Sequence, residues 1–405
     1  MKILVLNCGS SSIKYQLFDM LADETVLAKG LLERIGLPMG IVNHTPIGKE
    51  KIIYEQPIPN HTAGIEIIIK ILIDKELGVI KSLNEIAAAG HRVAHGGEHF
   101  KNSVLINNET KSEISKCIQL APLHNPANLK GILAVEQLIP GLPQVAVFDT
   151  SFHQSIPDYA YIYGIPYEYY EKMEIRRYGF HGTSQKYVSD KSAKLIGKNI
   201  DDLKIISCHL GNGASITAIE NGKSIDNSMG FTPVEGLIMG TRCGDLDVGA
   251  LLYIMEKENI DTKQANDLIN KKSGVFGISG LSPDMRDIES AAKNGNKRAQ
   301  LALDVYAYRV KKYIGAYAAA MNGLDLLIFT GGIGENSSFM REKIASDLEF
   351  LGIKLDSNLN NSAKGKDALI STTDSNAYIV VATTNEELVI ARDTMCIVND
   401  NLSKN

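Results

Sequence analysis

The sequence lacks the patterns that mark several common classes of protein. It has no block of basic residues and a formal net charge of −5, so we expect no nucleic-acid partner. Its five cysteines are scattered without a C-x-x-C pair, which supports neither a disulfide framework nor a zinc site and fits a reducing cytoplasm. No signal-peptide pattern is present, and the most apolar segment, residues 65–73, is interrupted by charges and too short to cross a bilayer. We therefore expect a cytoplasmic protein without a membrane partner.

The P-loop pattern G-x-x-x-x-G-K-[ST] is also absent, so any phosphate must be bound by another kind of turn. Residues 1–18 contain a candidate. An apolar run rich in β-forming residues leads into the small polar turn N-C-G-S-S-S, and alternating residues 13–18 follow, which predicts two strands joined by a tight turn. Backbone N–H groups and hydroxyls in such a turn can bind an anion, and Lys14 adds a positive charge. An ordinary hairpin is the alternative.

A second copy of this pattern favours the anion-binding interpretation. Residues 204–220, K-I-I-S-C-H-L-G-N-G-A-S-I-T-A-I-E, again place a small polar turn between two β-rich runs. Lys2 and Lys204 are 204 − 2 = 202 positions apart, which is half of the 405 residues. Two similar hairpins at this spacing indicate duplicated domains that face one another across a cleft and hold one polyphosphate from both sides. The chain is long enough for two hydrophobic cores.

Charged residues follow two predicted strands in the first half. Arg92 comes after a strand over residues 86–89, and Asp149 comes directly after a strand over residues 144–148. Ligands of open α/β sheets bind at the carboxyl ends of strands, and an arginine there can hold a carboxylate or phosphate with two parallel hydrogen bonds. The alternatives are a surface ion pair for Arg92 and a helix N-cap for Asp149.

Glycine-flanked polar residues occur at three further places. His181 stands between two glycines just before a predicted helix over residues 185–196, where it can face an anion, although a lone histidine is more often structural. Arg242 lies in G-T-R-C-G-D, where the glycines favour an exposed guanidinium over a packed one. Residues 330–337, T-G-G-I-G-E-N-S, join a strand to a helix, and glycines there let a phosphate or a flat ring approach the backbone.

The remaining segments predict connections and amphipathic helices. Residues 36–51, rich in glycine and proline, and residues 274–280, rich in glycine, predict loops. Residues 156–178, with many tyrosines, predict an extended segment or flap. Apolar residues at helical spacing predict helices over residues 61–77 and 297–321, and a closing helix over residues 385–398.

Taken together, these segments resemble the acetate kinase family. The matching stretches run in family order from residue 2 to about residue 392: N-C-G-S-S-S-I-K, H-R-V-A-H-G-G-E, A-P-L-H-N-P-A, F-D-T-S-F-H, R-Y-G-F-H-G-T-S, H-L-G-N-G-A-S, M-G-T-R-C-G-D-L-D, T-G-G-I-G-E-N and T-N-E-E-L. The resemblance implies an α/β fold with duplicated actin-like ATPase (ribonuclease H-like) domains, a nucleotide cleft between them, and a homodimer. The implied domains are residues 1–150 with the C-terminal helix 385–405, and residues 151–384.

The resemblance also implies a role for each matched position. Asn7 and Glu386 lie near the magnesium, and Lys14 lies near the phosphates. Arg92 binds the carboxylate of the acyl substrate, in a pocket lined by Ala94, Leu123, Phe180 and Pro233. Asp149, His181 and Arg242 are catalytic. The implied ATP contacts are His209, Leu210, Gly211, Asn212, Gly213, Asp284, Met285, Arg286, Gly332, Ile333, Gly334, Glu335 and Asn336. Ala94 departs from the family pattern, which often has valine there.

The implied activity is the reversible, in-line transfer of the ATP γ-phosphoryl group to acetate, giving acetyl phosphate and ADP, with Mg²⁺ or alternatively Mn²⁺. A carboxylate acceptor is already ionised at pH 7, so we expect Asp149 to orient the metal through water rather than to act as a general base. One alternative is a kinase for propionate or another short-chain carboxylate. A second is a chaperone-like or actin-like ATPase, which has no need for arginines that bind a second anion.

Overall fold

The structure, a computed structural model, describes residues 1–122 and 124–403. Contacts between Cα atoms divide the chain into two compact units. Unit 1 consists of residues 1–151 together with the segment that begins at Asn385, and unit 2 consists of residues 152–384. The predicted pocket residue Leu123 lies outside the described residues.

Both units are built from strands and helices in alternation. The strands are β1 Lys2–Cys8, β2 Ser12–Asp19, β3 Thr25–Glu33, β4 Gly40–Pro46, β5 Ile52–Gln56, β6 Ile86–Val93, β7 Val104–Leu105, β8 Gln144–Phe148, β9 Lys204–Leu210, β10 Ala214–Glu220, β11 Lys223–Asn227, β12 Leu326–Thr330, β13 Ala368–Leu369 and β14 Tyr378–Val381. The α-helices are α1 His61–Leu72, α2 Asn108–Lys116, α3 Asn125–Leu138, α4 Asp158–Tyr161, α5 Glu168–Met173, α6 Gly182–Leu195, α7 Val248–Glu258, α8 Thr262–Lys271, α9 Gly274–Ser279, α10 Met285–Lys293, α11 Lys297–Ala320, α12 Gly331–Asn336, α13 Ser338–Ala345, α14 Ser357–Ser362 and α15 Glu386–Leu402.

Unit 1 contains an eight-stranded mixed sheet in the order β5-β4-β3-β2-β1-β6-β8-β7. Strand β1 is antiparallel to β2 and parallel to β6. Its continuous apolar run is explained by burial on both faces, because Leu4 and Leu6 share a core with α1, whereas Ile3 and Val5 share a core with α15. Helix α15 therefore returns the end of the chain to the central strand of this unit.

Unit 2 repeats the arrangement with a six-stranded sheet in the order β11-β10-β9-β12-β14-β13. Strand β9 is antiparallel to β10 and parallel to β12, as β1 is to β2 and β6. Burial again covers both faces, since Ile206 joins the core that contains α11 and Ile205 joins the core that contains α6. The matching strand order confirms the predicted fold class, a duplicated actin-like α/β architecture.

Several element assignments differ from the sequence prediction. The predicted loop over residues 36–51 contains β4, and the predicted loop over residues 274–280 is helix α9. Helix α9 tolerates its glycines because Gly280, with φ +71°, caps its end in the left-handed region. Arg92 lies inside β6, which extends to Val93, rather than beyond the strand. Residues 156–178 contain the short helices α4 and α5. Among the described residues, no helix has the length and apolar character needed to span a membrane.

Candidate active site

In unit 2, two of the three predicted catalytic residues, His181 and Arg242, lie near the turn between β9 and β10. A Cβ atom added to Gly213 would lie 3.5 Å from His181 Nε2 and 3.7 Å from Arg242 Nη1, so both side chains face this turn. Gly240 has to be glycine for the chain to pack this closely against the turn, because a Cβ atom at this position would lie 1.8 Å from Asn212 Oδ1. His181 and Arg242, which were predicted to serve one site, therefore share Gly213 as a neighbour.

His181 is held in place by both its backbone and its ring. The residue caps α6 with φ 58°, in the left-handed region that few side chains adopt. Its Nδ1 forms a 3.0 Å hydrogen bond with Ser215 Oγ, and its ring stacks on His209 with centroids 4.3 Å apart. His209 in turn bonds through Nδ1 to Ser184 Oγ at 2.9 Å. These contacts leave the Nε2 side of His181 directed toward Gly213.

Arg242 is half-buried and has weak protein partners. Its Nη1 donates to the Pro233 carbonyl at 3.4 Å and lies 3.8 Å from Met239 Sδ. In the part of the chain that the structure describes, no carboxylate lies within ion-pair distance of it, and burial lowers the pKa of the guanidinium. A half-buried cation without a counter-charge is costly, so the arrangement suits an arginine whose partner is an anionic ligand.

A cavity of about 770 Å³ lies beside the same turn and is of the size that small-molecule sites have. Eight of the predicted ATP contacts line it: Gly211, Asn212, Asp284, Met285, Arg286, Gly332, Ile333 and Asn336. Four lining residues were not predicted: Pro283 and Ser337, which adjoin predicted residues in sequence, and Glu289 and Lys364, which only the tertiary fold brings there. Asp284 caps α10 and accepts a bond from Arg286 N at 2.9 Å.

The other predicted ATP contacts do not line this cavity. Leu210 is fully buried in the core. Glu335 turns its Oε1 back to accept bonds from the backbone N–H groups of Gly331 and Thr384, both at 3.1 Å, so it fixes the loop rather than facing the cavity. The fully buried Arg341, which the sequence analysis did not single out, supports the same loop by donating to the Gly334 carbonyl at 2.8 Å.

In unit 1, three predicted residues lie at the edge of the sheet where the neighbouring parallel strands β1, β6 and β8 have their carboxyl ends. Asn7 lies at the end of β1, Arg92 near the end of β6, and Asp149 directly after β8. Arg92 donates from Nε to Asp149 Oδ1 at 3.2 Å and from Nη2 to Asp149 Oδ2 at 2.5 Å, and its Nη1 reaches Asn7 Oδ1 at 3.4 Å. The edge of the guanidinium formed by Nε and Nη2, which was expected to hold a ligand with two parallel hydrogen bonds, is therefore occupied by Asp149.

The first turn of α15 adds two acidic residues to this edge. Glu387 is buried and pairs with Lys14 at 2.5 Å, whereas Glu386 is half-buried and lies in the field of Arg92 and Asp149. Burial raises the pKa of Glu386 above its usual range, and the charges of Asp149 and Glu387 raise it further. The ion pair between Lys14 and Glu387 was not foreseen, because the two residues are far apart in sequence.

Asn128, another residue that the sequence analysis missed as a site component, joins two loops at this edge. Its Oδ1 accepts from Ala94 N at 3.0 Å, and its Nδ2 donates to the Cys8 carbonyl at 2.8 Å. His61 bonds the Gly9 carbonyl at 2.7 Å and fixes the adjoining turn. The predicted pocket residue Ala94 is buried in unit 1, and Phe180 is buried in unit 2, where Pro233 also lies.

These features define a class of protein: a duplicated actin-like α/β protein in which a histidine and an arginine face a glycine turn beside a cavity of ligand size. The family model described as the acetokinase family matches residues 2–392, so the chain belongs to that family. It is 60% identical over 395 residues to the acetate kinase of Caldanaerobacter subterraneus subsp. tengcongensis, covering 97% of this chain and 98% of that protein.

Two solved structures agree with this assignment. Porphyromonas gingivalis acetate kinase superposes with a TM-score of 0.94 at 53% identity, covering 98% of this chain and 99% of that one. A propionate kinase from Francisella tularensis subsp. tularensis superposes with a TM-score of 0.91 at 43% identity, with the same coverage.

Proposed function

We propose that the protein is an acetate kinase, which transfers the γ-phosphoryl group of ATP to acetate and forms acetyl phosphate and ADP, in either direction. The observation that carries this proposal is the pair His181 and Arg242, which face the turn at Gly213 beside the cavity. Arg242 lacks a carboxylate partner among the described residues, as a group reserved for a phosphoryl anion would. Family membership supports the same activity.

We assign nucleotide binding to the cavity of unit 2. Its lining by Gly211 and Gly332 lets phosphates approach the backbone closely, and Arg286 and Asn336 supply polar contacts. Transfer between two anions is opposed mainly by charge repulsion. His181 and Arg242 would stabilise the equatorial oxygens of the transferring group, which is where charge is held during phosphoryl transfer.

We assign acetate binding to Arg92, through its Nη1. Asp149 occupies the Nε and Nη2 edge of the guanidinium and so fixes its plane before any ligand binds. Because acetate is already ionised at pH 7, no residue has to remove a proton from it. Asp149 therefore needs no general-base role, and its contact with Arg92 makes it an orienting group.

Asn7 and Glu386 of unit 1 are the residues that would hold a magnesium ion. Among the described residues, no group of three or more histidine, cysteine or acidic side chains is arranged to hold a metal on its own. Asn7 and Glu386 offer one amide and one carboxylate oxygen, and Mg²⁺ commonly takes one or two carboxylates, with phosphates and water completing its shell. When bound, Mg²⁺ would neutralise phosphate charge, and Glu386 and Asn7 would hold it.

A coupled assay tests the proposed function. Purified protein is incubated with ATP, Mg²⁺ and acetate, propionate or butyrate, and the acyl phosphate is trapped with hydroxylamine. We expect acyl hydroxamate with acetate, less with the longer acids, and none without acid. ATP hydrolysis that is independent of acid, with no hydroxamate, would instead support the ATPase alternative and overturn the proposal.

Propionate kinase is a second candidate because one similar structure has that activity in its name.

Ala94 provides a prediction on acid size. Alanine is smaller than valine by about two methyl groups, and a change of one or two methylenes in a pocket is worth roughly 1–3 kcal/mol of discrimination. We expect the ratio of kcat/KM for propionate to that for acetate to fall by about tenfold in Ala94→Val. Because Ala94 is buried, its thermal unfolding is measured as a control. A folded variant with an unchanged ratio would remove Ala94 from the pocket.

We also propose that the protein acts in the cytoplasm, where its free cysteines would stay reduced.

We further propose that the protein forms a homodimer through α7. Helix α7 is largely apolar yet has no buried residue, and Leu252 and Tyr253 are 59% and 62% exposed. An apolar helix face of this kind needs a cover. A second copy supplies an equally apolar one through two-fold symmetry.

Sedimentation velocity tests the dimer. We expect the wild-type protein to sediment as a dimer and Leu252→Glu as a monomer, because a buried unpaired carboxylate opposes association. Ile53→Glu is the matched control, since Ile53 is similarly exposed at 61% but lies on the edge strand of unit 1, and this variant should remain dimeric. A dimeric Leu252→Glu would exclude α7 as the interface.

A further inference from the structure

Two segments of unit 2 that carry proposed site residues are joined by one ion pair. The first, residues 177–181, ends in Phe180 and His181. The second, residues 228–236, carries Pro233. Arg177 Nη2 and Glu235 Oε1 connect them at 2.6 Å, and both side chains are largely shielded from solvent, with 15% and 33% exposed.

Arg177 also bonds the backbone on either side of the point where the second segment begins. Its Nη1 donates to the carbonyls of Asn227 at 2.7 Å and Met229 at 3.1 Å, and its Nε lies 3.5 Å from Asp226 Oδ1. A planar guanidinium with partners on each nitrogen has one orientation only. Arg177 therefore fixes where the second segment begins relative to the chain that leads to His181.

Tyr163 is the third member of this arrangement, and Gly230 lies against it. We give the name Arg177 clasp to the three residues Arg177, Glu235 and Tyr163. The Tyr163 hydroxyl donates to Glu235 Oε2 at 2.6 Å and accepts from Phe231 N at 2.8 Å. Gly230 allows this closeness, because its Cβ would lie 1.8 Å from Glu235 Oε2 and 2.2 Å from the Tyr163 hydroxyl. The carboxylate of Glu235 thus has a defined partner on each oxygen.

These contacts together fix the position of Pro233. The carbonyl of Pro233 accepts a hydrogen bond from Arg242 Nη1. We propose that the Arg177 clasp is a positioning device, which holds Pro233 and Arg242 in register with Phe180 and His181 and so sets both kcat and the choice of acid without touching the substrate. This inference rests on the proposed function, because it needs acetate and ATP as the reactants.

Conservative variants test the clasp. Tyr163→Phe removes only the hydroxyl, and Glu235→Gln keeps the size of the side chain but removes its charge. In both we expect kcat/KM for acetate to fall by about tenfold or more, since small misplacements of catalytic groups have large effects on rate. The propionate-to-acetate ratio should change by about threefold. KM for ATP should stay within about twofold, because none of the three residues lines the cavity.

Asp304→Asn is the matched control. It breaks the ion pair between Lys343 and Asp304, which is also 2.6 Å long but involves helices α11 and α13. We expect its kinetic constants to equal those of the wild type even if its thermal unfolding midpoint falls as much as that of Glu235→Gln. Should Tyr163→Phe and Glu235→Gln lower only the unfolding midpoint, with acid preference and kcat unchanged, the clasp is structural and the inference fails.

The same measurements separate this inference from the proposed function. A wild-type protein that forms no acyl phosphate overturns the proposed function, and the inference falls with it. A wild-type protein that is active, with clasp variants that shift KM for ATP but not the acid constants, overturns the inference alone.

Discussion

Replacing Arg242 with alanine is expected to lower kcat with acetate by about 10³-fold or more, the range found for arginines that stabilise phosphoryl transfer. The physical reason is that Arg242 is half-buried, lacks a carboxylate partner among the described residues, and faces Gly213 together with His181. Its charge is therefore available to an anion at the turn. KM for ATP should change by no more than about threefold, because an interaction made mainly in the transition state appears in kcat.

Three further arginine variants make this result specific. Arg242→Lys keeps the charge but not the planar fork, and we expect it to recover only part of the lost rate. Arg286→Ala should show the opposite pattern, a raised KM for ATP with kcat nearly unchanged, because Arg286 lines the cavity. Arg298→Ala serves as a control, since Arg298 donates to the carbonyls of Gly277 and Ile278 and does not line the cavity. A raised KM for ATP with normal kcat in Arg242→Ala would contradict the assignment.

The parts of the fold that the sequence could predict depend on local chemistry. Both hairpins were predicted because a small polar turn between β-rich runs fixes its own geometry, and the observed registers pair Asn7 with Lys14 and Ser215 with His209. Asp149 was correctly placed after its strand for the same reason. The loop assigned to residues 36–51 was wrong because burial of Val42 against the rest of unit 1 overrides the local preference of its glycines and prolines.

The parts of the site that the sequence could not predict depend on contacts between distant residues. Arg92 and Asp149 were each recognised, but their mutual pairing was not, and this pairing changes how Arg92 can hold a ligand. The contact of Glu387 with Lys14 and the bridge made by Asn128 are equally invisible in a single sequence. Asn128 could not be recognised from the sequence, because the segments that it joins, at Cys8 and Ala94, are brought together only by the sheet.

The pair formed by Arg92 and Asp149 leads to the second large expected effect. Asp149 is 2% exposed and lies near the acidic Glu386 and Glu387. Removing Arg92 would break a buried ion pair from one side, and such losses cost about 3–5 kcal/mol of stability. Adding Asp149→Asn should restore part of it, so the double variant is more stable than Arg92→Ala alone, with a coupling energy of about 1–3 kcal/mol.

Urea unfolding measures these effects, followed by far-ultraviolet circular dichroism because the sequence has no tryptophan. Glu85→Gln is the control, since its ion pair with Lys2 lies at the surface, where ion pairs contribute little to stability. The kinetic result should differ from the stability result. In Arg92→Ala, kcat/KM for acetate should fall by about 10²-fold or more. The double variant should not recover this lost activity. Stability restored together with activity would mean that Arg92 serves only to neutralise Asp149, and acetate would then need another cation.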